Sequence, residues 1–214
     1  MSQANLPYVE IRRLWPADMD AFRDHLLRLD PVSRHQRFGG GMSVEFLSRY
    51  ADRCFGEGDL LYGAFIGGRL CGAAELRSNR AIWAEQAPFG RHIHAEAAFS
   101  VEGERRRQGI GEKLFKRIMR AASNHGVETI EIVCMPGNVA MQNLAKKYHT
   151  HFTFEENAPT GRLMARRPTP LSLIREAATD ALDFGESLID AHLRALKEPQ
   201  KTECARLSPP AQKV

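Results

Sequence analysis

The stretch VEGERRRQGIG, residues 101–111, leaves a segment with strand periodicity, HIHAEAAFSV at 92–101, and enters one with helical periodicity, GIGEKLFKRIMRAASN at 109–124. In the first, Ile93, Ala95, Ala97, Phe99 and Val101 share one face and Ala98 and Ser100 lie on the other. Both faces are small or apolar, as in a strand from the middle of a sheet. In the second, Ile110, Leu114, Phe115, Ile118, Met119 and Ala122 form an inner stripe, and Gly126 is placed to stop the helix. A strand that re-enters as a helix through glycines presents successive backbone N–H groups that can all point at one anion, with the helix dipole behind them. Gly109 and Gly111 carry no side chain to obstruct a ligand, and a pyrophosphate suits such a cradle.

Working outward toward the N-terminus, Leu60 to Ile66 and Leu70 to Leu76 are apolar stretches separated by Gly67-Gly68, which predicts a tight hairpin. Val9 to Leu14 reads as a strand, and Ala17-Asp18 opens a helix carrying Phe22, Leu26, Leu27 and Leu29. From Pro31 to Met42 the apolar rhythm stops, and Gly39-Gly40-Gly41 points to a mobile loop before a helix resumes over Val44 to Phe55. The segment through Trp83, Pro88 and Gly90 is irregular. Toward the C-terminus, Val127 to Cys134 reads as a strand, and Asn138 caps a helix bearing Met141, Leu144, Ala145 and Tyr148. Phe152, Phe154 and Leu163 to Ala165 suggest two closing strands. The fold class is mixed α/β.

Beyond residue 167 the character changes. Thr169 can cap a helix, Pro170 suits its first position, and Leu171, Ile174, Ala178, Ala181, Leu188 and Leu196 predict an amphipathic helix or a helix pair interrupted at Gly185. Such a helix serves either its own domain or a homodimer or partner surface. The expected organisation is a domain over 1–167, a helical extension over 168–197, and a disordered tail over 198–214 with Pro199, Pro209 and Pro210.

No apolar run approaches the roughly 18 residues of a membrane span, and the first residues lack a signal-peptide core, so a cytoplasmic protein without a membrane partner is expected. Cys54, Cys71, Cys134 and Cys204 stand singly, which predicts reduced thiols and neither a zinc site nor a disulfide framework. His92 with His94, and His149 with His151, share strand faces, but no third ligand lies near either pair, so no metal is expected. A net charge of +4 fits an anionic small ligand as readily as nucleic acid. Arg105-Arg106-Arg107 has no interleaved aromatics, and nucleic acid is set aside.

Arg106-x-x-Gly109-x-Gly111, five residues after Val101 at a strand end, resembles the R/Q-x-x-G-x-G/A signature of the GCN5-related N-acetyltransferase (GNAT) family. The competing dinucleotide fingerprint requires a third glycine, and position 114 is Leu. The similarity runs over residues 9 to 166 in element order, and it implies the acyl-CoA N-acyltransferase fold, with a mostly antiparallel central sheet flanked by helices. It implies that Arg106, Arg107, Gln108, Gly109, Ile110 and Gly111 hold the pyrophosphate of acetyl-CoA, that Asn138 contacts the same molecule, and that the strands on either side of it splay so that the backbone of Phe99 and Val101 pairs with the pantetheine arm. The acetyl group then passes directly to a primary amine in a ternary complex. A non-catalytic acyl-CoA sensor is the alternative.

Acetyl transfer needs a free amine, so a base must remove the ammonium proton. Glu96 stands mid-strand, where burial would raise its pKa; Glu75, on the preceding strand, is the second candidate. Where the family commonly carries a tyrosine that protonates the thiolate, this chain has Ala145, and Tyr148 follows one turn later. Leu29-Asp30-Pro31-Val32-Ser33 and Arg37-Phe38 resemble the start of bacterial protein lysine acetyltransferase domains. A protein lysine and a small-molecule amine are both open as acceptors.

Overall fold

The computed structural model describes residues 7–56, 59–78, 93–148, 151–155, 158–165 and 167–197. Seven strands form one sheet: β1 (Glu10–Arg13), β2 (Leu60–Ile66), β3 (Arg69–Ser78), β4 (Ile93–Val101), β5 (Val127–Val133), β6 (His151–Glu155) and β7 (Ala158–Met164). Their order is β1-β2-β3-β4-β5-β7-β6, and every neighbouring pair is antiparallel except β4 with β5. The helices are α1 (Met19–Arg28), α2 (Pro31–Phe38), α3 (Val44–Gly56), α4 (Ile110–Asn124), α5 (Val139–Lys147) and α6 (Pro170–Lys197).

The sheet is covered on both faces, which explains why β2 and β3 read as continuous apolar runs. On one face Tyr62, Ala64, Ala74 and Ala97 pack against Ile110, Leu114, Phe115 and Ile118 of α4. On the other, Leu61, Phe65, Leu70 and Ala73 pack against Phe22 and Leu26 of α1 and Leu47 and Ala51 of α3. Gly67 and Gly68, at φ 57° and 75°, make the expected hairpin turn.

One expectation fails, and of the two left open for the C-terminal segment the single helix is present. Residues Pro31–Phe38 are a helix, not a loop: the Asp30 side chain accepts from the Ser33 N–H, Pro31 occupies the first turn, and Gly39 closes the helix at φ 77°. These are ordinary start and stop signals on a helix whose short length hides its periodicity. Nor does Gly185 interrupt α6, which runs unbroken for 28 residues; a single glycine costs a helix only about 1 kcal/mol, less than the anchoring of its flanks supplies.

The anchoring of α6 is unusual. Glu176, Asp183 and Ser187 are its buried residues, whereas Leu171, Ile174, Leu182 and Leu196 are exposed. Its acids meet arginines of the domain: Arg117 Nη1 lies 2.6 Å from Glu176, Arg13 Nη1 2.6 Å from Asp180, and Arg12 Nη2 2.8 Å from Asp190. The Arg13 backbone N–H donates to Asp183 at 2.6 Å. The helix therefore packs on its own domain through its polar side.

Candidate active site

The parallel pair at the centre of the sheet is incomplete. β4 and β5 pair from Ile93↔Val127 to Glu96↔Glu131, with a one-residue shift after Ile93, and there the ladder stops. β4 continues to Val101 against β3, with Phe99 opposite Ala74 and Val101 opposite Gly72. β5 continues to Val133 against β7. Between Ala97 and Val101 the β5-facing edge of β4 consequently has no strand partner, and the implied splay is present. A cleft of about 220 Å³ opens there, lined by Glu96 and Phe99 of β4, Cys134 and Asn138 beyond β5, and Arg37 and Gly39 at the end of α2.

The same end of β4 leads into the glycine loop. Arg107 adopts φ 63° and Gly109 φ 76°, so left-handed residues alternate through the turn, the backbone geometry of an anion-binding nest. Gly109 caps α4 without a side-chain acceptor, and among the described residues no protein group accepts from the N–H groups of Arg107 to Glu112. Ile110 anchors this turn through a buried side chain. A Cβ built on Gly111 would meet only Leu144, at 3.7 Å. Gln108 donates to the Glu104 carbonyl at 3.3 Å, and its own amide oxygen is buried without a donor. Arg106 reaches back to α2, where Nη2 donates to Ser33 Oγ at 2.6 Å. The residues present fit a diphosphate: unpaired donors converge at a helix N-terminus, with arginines on the rim.

Glu102, which opens the loop, is a hub. Arg28 Nε lies 3.0 Å away, Arg69 Nη2 2.7 Å and His25 Nδ1 3.2 Å, while His25 Nε2 lies 2.9 Å from Ser100 Oγ. Burial opposes the charge on Glu102, yet the hydrogen bond from His25 and the charge of Arg28 outweigh it and bring its pKa down to about 2. Burial likewise pushes His25 below its ordinary value. Both groups hold protons more tightly in the unfolded chain, so each contributes stability that is present above its ordinary pKa and lost as pH falls toward the folded value. Stability is expected to decline first below pH 6.5 and again between pH 4.5 and about 2. Urea midpoints measured across that range check this, and Glu102→Gln is expected to flatten the second decline.

The candidate bases separate sharply. Glu96 is exposed at the point where the ladder ends, contrary to the expectation of burial, because the parting of β4 and β5 opens its surroundings to the cleft. Among the described residues its side chain makes no hydrogen bond or ion pair. Glu75 is buried and saturated: it accepts from Arg37 at 2.7 Å and Tyr50 at 2.6 Å, and Arg77 lies 3.3 Å away. Burial alone would raise its pKa, but the charges of Arg37 and Arg77 hold it below the ordinary value. It joins α2 and α3 to β3. Burial and the same carboxylate push the neighbouring Cys54 thiol up to about 12.

Asn138 caps α5, its Oδ1 accepting from the Met141 N–H at 3.1 Å, and it also faces the cleft. Tyr148 does not join Glu96. Its ring stacks on Phe115 with centroids 4.6 Å apart, and its hydroxyl donates to Glu112 at 3.1 Å. Hydrogen bonds from Lys147, Lys116 and Tyr148 hold that carboxylate down to about 2. His92 and His149 lie outside the described residues. The sequence reading singled out Ser33 and Arg37 but set them in a loop; the Asp30-Pro31 start and Gly39 stop were the signals that place them on a helix.

A central parallel pair parts beside a nest of free N–H groups, the geometry that the resemblance to acyltransferases implies. Residues 22–150, more than half of the chain, match the acetyltransferase (GNAT) family, and the chain belongs to that family. Among solved structures, the GNAT domain of S. lividans PAT is 17% identical, with a TM-score of 0.60 over 77% of this chain and 99% of that one. The ribosomal-protein-S18-alanine N-acetyltransferase from Escherichia coli is 15% identical, with a TM-score of 0.56 over 76% and 97%. YncA from Salmonella typhimurium, solved with its cofactor acetyl-CoA, is 15% identical, with a TM-score of 0.55 over 76% and 96%. At these identities the likeness is one of fold. No curated protein matches the chain in sequence.

Proposed function

We propose that the chain transfers the acetyl group of acetyl-CoA directly to a primary amine, of a small molecule or a protein lysine, with Glu96 as the base. The observation that carries this reading is the end of the β4–β5 ladder at Glu96↔Glu131, which puts an exposed carboxylate at the head of a gap along β4, the strand that runs on into the N–H nest. Acetyl-CoA supplies the activated thioester. The N–H groups of Arg107 to Gly111 suit its diphosphate, and Arg106 and Arg107 add positive charge at the rim. Free backbone groups of Phe99 and Val101 suit an extended arm laid along β4 as an added strand. Glu96, open to water, accepts a proton from the incoming ammonium, directly or through one water. The amine nitrogen then bonds to the acetyl carbon, the carbon–sulfur bond breaks, the thiolate departs, and the second proton of the nitrogen passes through solvent to the thiolate, leaving the neutral amide. Tyr148, committed to Glu112, is not its proton donor in this arrangement, and a thiolate leaves without one.

Glu96→Gln tests the assignment. Acetyl-CoA affinity is expected to stay within about twofold, while kcat falls by about a hundredfold, the scale of a lost general base. Unchanged turnover removes Glu96 from the mechanism, and acetyl-CoA binding with no turnover on any amine favours the sensor reading.

A further inference from the structure

Among the described residues, nothing covers the outer side of α6. Leu171, Ile174, Leu182, Ile189 and Leu196 are between 62% and 75% exposed, and Phe184, Leu188 and Leu193 are close to half exposed. All but Phe184, whose ring packs against Trp15 of the domain, fall on one side of a helix of 28 residues, a stripe about 40 Å long at 1.5 Å per residue. Their exposed area is on the order of 900 Å², above the roughly 300–600 Å² of the largest apolar patch on a typical monomer. It matches the approximately 800 Å² that each partner commits to a standard interface.

We propose that α6 pairs antiparallel with α6 of a second copy of this chain, about a two-fold axis beside Ala181, so that the protein is a homodimer. Three features favour a second copy as the occupant. First, the charges are self-complementary. Arg175 and Glu186 lie on the same edge of the stripe, and reversing one helix about the midpoint between them sets each Arg175 against the partner's Glu186. Second, the Glu186 carboxylate meets that of Glu10 on β1 with Arg12 nearby, and the partner's Arg175 would add a further cation to this acidic edge. Third, Ala177, Ala178, Ala181 and Gly185 surround the axis, and a Cβ on Gly185 would meet nothing within 4 Å, so the two helices have room to approach. An isologous contact of this kind closes on itself at two subunits. Residues 198–214 contain only Leu207 and Val214 as large aliphatics, too few to cover the stripe.

Sedimentation of the full chain over roughly 1 to 100 μM tests the proposal. The expected result is a species of twice the 24.0 kDa chain mass. Leu182→Glu, at an exposed position that leaves the domain's packing untouched, is expected to raise the dimer Kd at least about a hundredfold while the thermal response to acetyl-CoA persists. Arg175→Glu and Glu186→Arg are each expected to weaken the dimer, and the double exchange to restore it. A monomer across the range overturns the proposal. So does a dimer indifferent to Leu182→Glu, which locates the interface elsewhere, and so does recruitment of a monomer to anionic phospholipid vesicles, which assigns the stripe to a lipid surface.

Discussion

A Gly109→Asp variant is expected to lose its thermal response to acetyl-CoA. At about a hundred times Kd, binding to the folded state alone adds roughly 2.7 kcal/mol. For a chain of this size that corresponds to a midpoint rise of about 5 to 10 °C. Gly109 stands at φ 76° as the cap of α4, at the centre of the unpaired N–H groups. Aspartate tolerates the left-handed conformation better than most residues and a Cβ there meets nothing within 4 Å, but a side chain at this φ is strained, so the apo midpoint falls with a cost of about 1–2 kcal/mol and the ligand response is read against each variant's own apo midpoint. What changes is the charge: a carboxylate takes the place of the anion and repels a diphosphate. Gly109→Asn separates the two effects, being the same shape without the charge, and is expected to keep much of the response. Differential scanning fluorimetry of the three proteins, with and without acetyl-CoA, reads the result. An undiminished response in the aspartate variant would place the ligand elsewhere.

The second large effect belongs to Arg117, where alanine is expected to cost about 3 to 5 kcal/mol, the penalty for leaving buried charges unpaired. Its guanidinium lies over the Tyr62 ring at 4.1 Å and holds Glu176 at 2.6 Å and Asp180 at 3.3 Å. Removing it leaves Glu176, 6% exposed, with Arg120 at 3.6 Å as its remaining ion partner. The carboxylate then has two routes to relief, to take up a proton or to drag α6 away from α4. Replacing both partners with apolar residues, as in Arg117→Met with Glu176→Leu, removes the charges together, and such exchanges are often neutral or stabilising. Urea unfolding of the single and double variants distinguishes an unpaired charge from lost packing: the double variant is expected to recover most of the loss. If it unfolds as readily as the single variant, the arginine acts through its packing on Tyr62.

Much of the site is legible in the sequence because it is backbone chemistry written by glycine. Gly109 after a strand and Asn138 at a helix start each fix a local conformation, and each stands at a helix start as its spacing predicts. The hairpin at Gly67-Gly68 is legible for the same reason. What local rules cannot show is the company a side chain keeps across the fold. Glu96 and Glu75 both read as acids out of place in strands; only the assembled sheet reveals that Arg37, Arg77 and Tyr50 converge on Glu75 and that β5 turns away from Glu96. α6 was misleading in a similar way. Its apolar periodicity is correctly helical, but periodicity identifies a stripe without saying which side faces the domain, and here arginines of β1 and α4 select the acids.

The parting of β4 from β5 also bears on solubility. Strand edges attract other strands, and proteins generally blunt or cover the ones at the rim of a sheet. Here two edges are left open in the middle of a sheet, yet each backs onto a paired neighbour, β3 on one side and β7 on the other. The opening is a blind wedge, closed where Glu96 meets Glu131 and no longer than the five residues Ala97 to Val101 on the β4 side. A strand from another molecule would bring side chains above and below its backbone, and the wedge has no length in which to register them. A slender, unbranched chain meets no such obstacle. The protein thus keeps hydrogen-bonding capacity unspent at its centre without displaying an adhesive edge to its neighbours in solution.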